Sequence, residues 1–236
     1  MKPADPPHIS IIIPVLNEAE NLPSLKTQLR EQAASYESLE VLLVDGGSTD
    51  DTRSIAADLD FKIISSHKGR ARQMNRGAAL ASADILYFLH ADTLPPKNFD
   101  RSIKDAVAVG HEAGCFRLRF DSESRFLKFF SWFSRLNYRL CRGGDQSLFI
   151  TKDLFYILGG FDESYTVYED SEFINRIYKQ TSFKVIPETV ITSARKYEAR
   201  GEIALQYHFS VIHFKNYLGA GPEKLYDYYK KNIETY

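Results

Sequence analysis

The stretch Val41-Leu-Leu-Val-Asp-Gly-Gly-Ser-Thr-Asp50 is typical of a buried strand that ends in an acidic, glycine-rich turn. A second apolar run, residues 85–89, ends in a similar way at His90 and Asp92. In open α/β sheets, ligands collect beyond the carboxyl ends of the strands. We therefore expect the polar groups that follow these two runs to converge on one crevice, which is where function is expected.

Outward from these runs, strand and helix patterns alternate along the chain. Short, mostly β-branched runs predict buried strands over residues 9–15, 39–44, 61–64 and 85–89. Helical patterns separate these strands over residues 22–35, 49–59 and 70–81. Such alternation is typical of a parallel sheet with crossover helices. Farther on, we predict helices over residues 98–109, 126–140, 152–158, 169–180 and 202–218, and strands over residues 116–120, 146–150 and 183–186.

The length and composition suit one soluble globular domain. The length of 236 residues, with 44 % apolar and 26 % charged residues, is ordinary for a single globular unit. We predict one domain over residues 1–236, with a core over about residues 9–186 and a helical C-terminal addition over about residues 187–236.

Charge and cysteine content exclude several classes of function. A net charge of −1 gives no general attraction to nucleic acid, so we expect no nucleic-acid partner. Cys115 and Cys141 lack the spacing of a disulfide framework or a metal knuckle, which favours reduced thiols in a cytosolic protein. No secretory signal pattern opens the chain, and no apolar run approaches the roughly 20 residues that cross a bilayer. We expect a cytoplasmic protein, with the inner face of the membrane as the alternative location.

Polar residues at the two predicted strand ends are candidates for nucleotide and metal binding. The carboxylate of Asp45 can accept a hydrogen bond from a base or ribose, although a capped turn before a helix is the alternative. His90 and Asp92 are two positions apart, so both point to one side if the chain stays extended. A hard divalent cation between a carboxylate and a diphosphate suits this spacing. A polar turn after a buried strand is the alternative.

Two further candidates lie at predicted helix starts. One of them contains Lys68, Arg70 and Arg72. These basic side chains, together with the free backbone N–H groups of the first helical turn, can hold phosphate oxygens. A solvated basic helix start is the alternative. Asp170 lies at the start of a core-facing stripe if a helix begins near Glu169, so its carboxylate is a candidate general base. A first-turn acid favoured by the helix dipole is the alternative.

The chain has neither a GxGxxG fingerprint nor a GxxxxGK[ST] loop, which disfavours Rossmann-type dinucleotide enzymes and P-loop enzymes.

Taken together, these motifs resemble those of the family 2 glycosyltransferases of the GT-A fold. The resemblance extends over about residues 9–186, and the order of the motifs is far more specific than any single motif. The matching residues are Ser10-Ile-Ile-Ile-Pro-Val-Leu-Asn-Glu18, Val44-Asp-Gly-Gly-Ser-Thr-Asp50, Leu89-His-Ala-Asp-Thr93, Gly144-Asp-Gln146, Gly159-Gly-Phe161 and Glu169-Asp170.

The resemblance implies a GT-A-like three-layer α/β/α sandwich and an inverting transfer from a nucleotide-diphosphate sugar to an acceptor hydroxyl. It implies a divalent metal, Mn²⁺ or Mg²⁺, at Asp92 and His90, and a catalytic base at Asp170 beside Glu169. The nucleotide-binding positions are Pro14, Asn17, Glu18, Asp45, Gly46, Arg70, Arg72 and Ala91. The positions for the acceptor or donor sugar are Gly144, Asp145 and Gln146.

Two residues depart from the pattern of the family. Gly46 stands where many members have a second aspartate, and His90 replaces the first aspartate of the metal-binding DxD motif. Because imidazole favours Mn²⁺ over Mg²⁺ more than a carboxylate does, His90 bears on the identity of the metal.

The acceptor is expected to be an unknown glycan or a lipid-linked molecule. Residues 125–142 combine many aromatic side chains with five basic residues and no acids. An aromatic helix packed on the sheet is the favoured interpretation, and peripheral contact with a membrane is the alternative. For His208 and His213, ordinary packing is favoured over metal binding. For Arg195, a solvated basic loop is favoured over closure on the diphosphate.

Two other functions stay open at this point. A nucleotidyltransferase shares the phosphate chemistry at strand ends but usually has a glycine- and lysine-rich loop after its first strand. Here that loop is Asn17-Glu-Ala-Glu20, which argues against it. A non-catalytic regulator that binds a sugar nucleotide is compatible with the replacement at His90.

Overall fold

A computed structural model describes residues 8–143 and 146–234 of the chain. Its strands are β1 (Ile9–Val15), β2 (Leu39–Asp45), β3 (Lys62–Ser65), β4 (Ile85–Phe88), β5 (Thr93–Leu94), β6 (Ala113–Phe120), β7 (Leu148–Thr151) and β8 (Phe183–Thr192).

The α-helices of these residues include one in each stretch that the sequence predicts to be helical. They are α1 (Leu22–Gln32), α2 (Thr52–Asp58), α3 (Arg70–Leu80), α4 (Phe99–Ala108), α5 (Arg125–Trp132), α6 (Lys152–Ile157), α7 (Glu169–Gln180), α8 (Arg195–Arg200), α9 (Glu202–Tyr217) and α10 (Pro222–Tyr229). Short 3₁₀ turns occur at Tyr36–Ser38, Phe133–Arg135 and Arg139–Cys141, and a π-helical turn at Lys230–Glu234.

The described strands form one 8-stranded sheet in the order β3-β2-β1-β4-β7-β6-β8-β5. β1 pairs in parallel with both β2 and β4, β2 with β3, and β6 with β8. β7 is antiparallel to β4 and β6, and β5 is antiparallel to β8. The strand order reverses at β1, and the crevice beside such a switch point is where open α/β sheets bind ligands.

β1 illustrates how the sheet acquires helices on both faces. Because successive side chains of a strand alternate between the faces, Ile11 and Ile13 pack in the cluster that contains α1, α2 and α4. Ile12 packs in the opposite cluster, with α3, α6 and α7. The three-layer α/β/α arrangement with a mostly parallel sheet, predicted from the sequence, is therefore confirmed.

The C-terminal helices pack in a third cluster beside the sheet. Its buried members come from β6, α5, α9 and α10, among others, and include Phe120, Leu127, Leu205, Ile212 and Leu225. Within residues 8–143 and 146–234, no helix combines the length and apolarity that a membrane crossing demands.

Two predicted elements differ most from the structure, and each difference has an identifiable cause. The helix predicted over residues 126–140 ends at Trp132, because the buried guanidinium of Arg142 takes the carbonyls of Ser134 and Leu136 that a continuing helix would use. The strand predicted over residues 183–186 continues to Thr192. Its pairing with β6 shifts register just after Ile186, where Pro187 has no N–H to donate and a bulge absorbs it.

Candidate functional site

The carboxyl ends of β1, β2 and β4 meet at one edge of the sheet. Val15 pairs with Asp45 in register, and the N–H of Gly46 donates to the carbonyl of Val15 at 3.0 Å. On the other side of β1, the N–H of Leu89 donates to the carbonyl of Ile12 at 3.1 Å. The segments that follow these three strands, which carry most of the predicted site residues, therefore start next to one another.

Asp45 is a buried carboxylate at the end of β2, with 1 % of its surface exposed. Its Oδ1 accepts the N–H of Ser48 at 2.9 Å, and its Oδ2 lies 3.9 Å from Nε of Arg53. The turn between Asp45 and Ser48 requires glycine at position 47, where φ is +95°. An ionised carboxylate has about four acceptor positions, so Asp45 keeps acceptor capacity for a ligand.

Asn17 joins the loop after β1 to the loop after β2. Its φ is 55°, a left-handed conformation that asparagine tolerates better than most residues. Its N–H donates to Oγ of Ser48 at 2.9 Å, and its Oδ1 accepts the N–H of Thr49 at 2.8 Å. The N–H of Glu18 donates to Oγ1 of Thr52 at 2.9 Å. These bonds position the loops, and the predicted nucleotide contact of Asn17 stays a prediction.

Gln73 explains why glycine occupies position 46. The Gln73 amide, on α3, is 4 % exposed and donates to the carbonyls of Val15 at 2.9 Å and Val44 at 2.7 Å. A Cβ added to Gly46 would lie 3.0 Å from the amide atoms of Gln73, which is closer than ordinary van der Waals contact. The aspartate that many family members have here would have to displace this amide.

Arg195 joins the site although the favoured sequence interpretation placed it in a solvated loop. Its Nη2 lies 3.4 Å from Oε1 of Glu18 and 3.4 Å from Oδ2 of Asp92. One guanidinium therefore bridges the carboxylates that follow β1 and β4. Arg195 and Glu18 are 177 residues apart, and no motif signals a contact at that separation.

The chain turns between His90 and Thr93 instead of staying extended. The N–H of Thr93 donates to the carbonyl of His90 at 3.1 Å, and Ala91 inside this turn is 9 % exposed. The extended geometry on which the joint orientation of His90 and Asp92 depended is thus absent. His90 lines a pocket beside α7, whereas the Asp92 carboxylate faces Arg195.

The residues present suit a metal that is shared with a diphosphate. No three His, Cys, Asp or Glu side chains of the described ranges group closely enough to hold an ion alone. Mg²⁺ and similar hard cations at nucleotide sites usually take one or two carboxylates plus phosphate oxygens. The carboxylates of Glu18 and Asp92 both lie close to the guanidinium of Arg195. The two carboxylates are therefore close enough to each other to bind one cation together.

Asp170 lies in the first turn of α7 and lines a pocket together with Pro14, His90, Gly143 and Ser147. The pocket therefore joins the end of β1, the segment after β4 and the start of α7. Asp170 is half-buried.

Arg70 and Arg72, at the start of α3, face different partners. Nη1 of Arg70 lies 3.8 Å from Oε1 of Glu169, which is buried next to Asp170. Nε of Arg72 lies 3.8 Å from Oε2 of Glu163. Because Glu169 is the neighbour of Asp170 in the chain, its partner Arg70 lies close to the pocket. The diphosphate contacts predicted for both arginines stay predictions.

Gln146 is buried, and its amide bonds within the protein. Its Oε1 accepts Nη1 of Arg142 at 2.6 Å, and its Nε2 donates to the carbonyl of Cys141 at 2.8 Å. Burial raises the pKa of the neighbouring Cys115 thiol to about 11, so this thiol stays protonated near neutral pH. The predicted sugar contact of Gln146 stays a prediction. Gly144 and Asp145, predicted for the same role, lie outside the described residues.

The late histidines pack among the C-terminal helices. Nδ1 of His208 lies 2.9 Å from the hydroxyl of Tyr228, and the ring of His213 contacts that of Tyr168 at 4.9 Å between centroids. Both placements agree with the favoured interpretation that these are packing residues.

His213 gives an expected pH dependence of stability. Burial lowers its pKa below the ordinary 6.5, so the unfolded chain binds this proton more readily than the folded one. Stability should therefore fall as the pH drops through and below about 6.5. His213→Phe should flatten that fall in thermal unfolding between about pH 7.5 and about pH 5, whereas the exposed control His67→Gln should not. An identical fall in His213→Phe would contradict this role.

Comparison with known proteins gives consistent matches. The model of the family described as glycosyl transferase family 2 matches residues 10–157. The succinoglycan biosynthesis protein ExoA of Rhizobium meliloti (strain 1021) is 28 % identical over 192 residues, which cover 72 % of this chain and 57 % of that protein. A PGL/p-HBAD biosynthesis glycosyltransferase of Mycobacterium bovis (strain BCG / Pasteur 1173P2) is 31 % identical over 186 residues, which cover 73 % of this chain and 70 % of that protein. The chain thus spans little more than half the length of ExoA.

A solved structure shares the fold. The mannosyltransferase PcManGT of Pyrobaculum calidifontis, in complex with GDP-Man and Mn²⁺, matches with a TM-score of 0.69 and 20 % sequence identity. The match covers 96 % of this chain and 70 % of that one. The GT-A-like fold predicted from the sequence is confirmed.

Proposed function

We propose that this chain, which belongs to glycosyl transferase family 2, transfers a sugar from a nucleotide-diphosphate donor to an acceptor hydroxyl with inversion at the anomeric carbon. The observation that carries the proposal is the meeting of Asp45, Glu18, Asp92 and Asp170 around the carboxyl ends of β1, β2 and β4. Carboxylates at one strand edge supply ligands for a hard divalent cation and acceptors for a ribose or an attacking hydroxyl, which is what a metal-bound nucleotide sugar and its acceptor need.

The reaction is a direct displacement. The acceptor oxygen forms a bond to the anomeric carbon while the bond from that carbon to the diphosphate oxygen breaks. Asp170 takes the proton of the attacking hydroxyl, a contribution of about 10² to 10⁴ in rate. The electron pair of the broken bond stays on the nucleoside diphosphate, and Arg70 and Arg195 are two cations at this edge that would stabilise its charge.

A divalent metal is proposed at Asp92, with Glu18 close enough to share the same cation. When bound, it would neutralise the charge that develops on the departing diphosphate. His90 lines the pocket that contains Asp170, and its part in holding the metal stays a proposal. Asp45 would accept a hydrogen bond from the base or ribose.

The substrates are proposed by class. The neighbour PcManGT is described with GDP-Man and Mn²⁺, which supports a nucleotide-diphosphate sugar and Mn²⁺ as the first ligands to test. ExoA is named for succinoglycan biosynthesis, which supports a glycan acceptor, and a lipid-linked acceptor is the other class. The family match favours glycosyl transfer over nucleotidyl transfer.

A donor screen tests this function. UDP-, GDP- and dTDP-sugars are incubated with the protein and Mn²⁺, and binding is followed by thermal shift and turnover by release of the nucleoside diphosphate. We expect one nucleotide class to stabilise the fold and to be slowly hydrolysed. Stabilisation without release, even when acceptors are added, would identify a binding regulator, and conversion of the donor to a nucleoside triphosphate and a sugar 1-phosphate when pyrophosphate is added would identify a nucleotidyltransferase.

A further inference from the structure

α5 and the segment after it carry an exposed aromatic surface that the proposed reaction does not use. α5 buries Leu127 and Ser131, whereas Phe129 and Trp132 on its other side are 59 % and 51 % exposed. After α5, residues 135–140 are all exposed. The exposed large apolar residues, here called the 129–140 surface, are Phe129, Trp132, Leu136, Tyr138 and Leu140. The favoured interpretation of an aromatic helix packed on the sheet is therefore wrong for residues 135–140, which are neither helical throughout nor buried.

Positive charge surrounds these apolar groups. The exposed cations of the segment are Arg125, Lys128, Arg135 and Arg139. No acid occurs between residues 125 and 142, and the preceding acid, Glu123, already pairs with Lys128. Aromatic side chains that prefer the headgroup level, combined with cations that pair with lipid phosphates, suit an anionic lipid surface.

The protein holds this surface in place. The buried guanidinium of Arg142 donates to the carbonyls of Ser134, at 2.9 Å, and Leu136. Nδ2 of Asn137 donates to the carbonyl of Phe183, in β8, at 2.7 Å. The backbone that carries the exposed residues is thus fixed to the sheet, so docking would not have to order it first.

We propose that the 129–140 surface docks this protein on an anionic lipid bilayer, with Phe129 and Trp132 entering the headgroup region. A second copy of the chain is disfavoured as the occupant, because a two-fold interface places the same patch on both sides and would bring the cations of the two copies together.

Docking has a consequence for the acceptor, and this consequence rests on the proposed function. Gly143, at the end of the segment, lines the same pocket as Asp170. A protein docked through the 129–140 surface would therefore hold this pocket near the lipid, where a lipid-linked acceptor is concentrated. The docking itself needs no sugar transfer and is testable with the protein alone.

Trp132 allows a direct test because it is the single tryptophan of the chain. Its fluorescence is measured with vesicles of phosphatidylcholine, and with vesicles that also contain about 30 % phosphatidylglycerol. We expect a blue shift and quenching by brominated lipid only with the anionic vesicles, together with flotation that about 0.5 M salt weakens. Absence of a shift and of flotation would overturn the proposal.

Matched variants locate the contact. Phe129→Ser and the pair Arg135→Gln and Arg139→Gln should each weaken partitioning by on the order of tenfold. Ile157→Ser, at an apolar residue 71 % exposed elsewhere, and Lys179→Gln should leave it unchanged. Equal flotation of all variants would contradict the proposal. So would a lipid-independent shift of the Trp132 emission that grows with protein concentration, because it would identify a second copy as the partner.

Discussion

Asp170→Asn is expected to lower sugar transfer by about 10² to 10⁴-fold while donor binding persists. The asparagine side chain has nearly the same size but cannot take the proton of the acceptor hydroxyl near neutral pH. Asp170 lines the pocket with Pro14 and His90, whereas the metal is proposed at Asp92, so the two proposed roles are tested separately. Transfer is measured as product formed at saturating donor, and donor affinity by calorimetry.

A control separates this effect from damage to the fold. Asp105→Asn makes the same chemical change at a carboxylate that is 74 % exposed on α4, and it should leave transfer unchanged. If Asp170→Asn turned over as fast as the unmodified chain, Asp170 would not be the base.

The second large effect is expected at Asp92. Asp92→Ala removes the carboxylate proposed to hold the metal, so transfer should fall roughly 10²-fold or more, and EDTA should have a comparable effect on the unmodified chain. Donor binding should weaken as well, in contrast to Asp170→Asn. Transfer that survives both the substitution and EDTA would contradict the metal assignment.

Replacing Arg195 should change the affinity for Mn²⁺ in the opposite direction to Asp92→Ala. In the free protein its guanidinium lies 3.4 Å from both Glu18 and Asp92, where it competes with an added cation. Arg195→Gln should therefore tighten Mn²⁺ binding in the absence of donor, whereas Asp92→Ala should weaken it. Electron paramagnetic resonance of free Mn²⁺ measures both without any turnover. Changes of the same sign in the two variants would separate Arg195 from the metal site.

The first half of the fold could be predicted from the sequence because the local apolar patterns there agree with the strands and helices that form. Ile9–Val15 is a continuous β-branched run, and the bounds of β1 coincide with the prediction. The later half is less legible because long-range bonds override local pattern. The helix of residues 126–140 stops where Arg142 captures two carbonyls, and β8 passes Pro187 because its pairing with β6 continues beyond a bulge.

The site divides in the same way. Residues at strand ends, such as Asp45 and Asp92, could be placed by the rule that parallel strands end at one edge. The part of Arg195 could not, because its contact with Glu18 depends on how the C-terminal helices return to the sheet. The burial of the Gln146 amide depends likewise on Arg142, and the 3.0 Å approach of Gln73 to Gly46 on the packing of α3.

In the proposed function, acidic side chains from separate segments bind one nucleotide-diphosphate sugar. Calorimetric titration of the preferred donor with Mn²⁺ into the unmodified chain, Asp45→Asn, Asp92→Ala and Asp170→Asn tests it most directly. We expect saturable binding that is weakened by about tenfold or more in Asp45→Asn and Asp92→Ala and retained in Asp170→Asn. Unchanged binding in both Asp45→Asn and Asp92→Ala would contradict it.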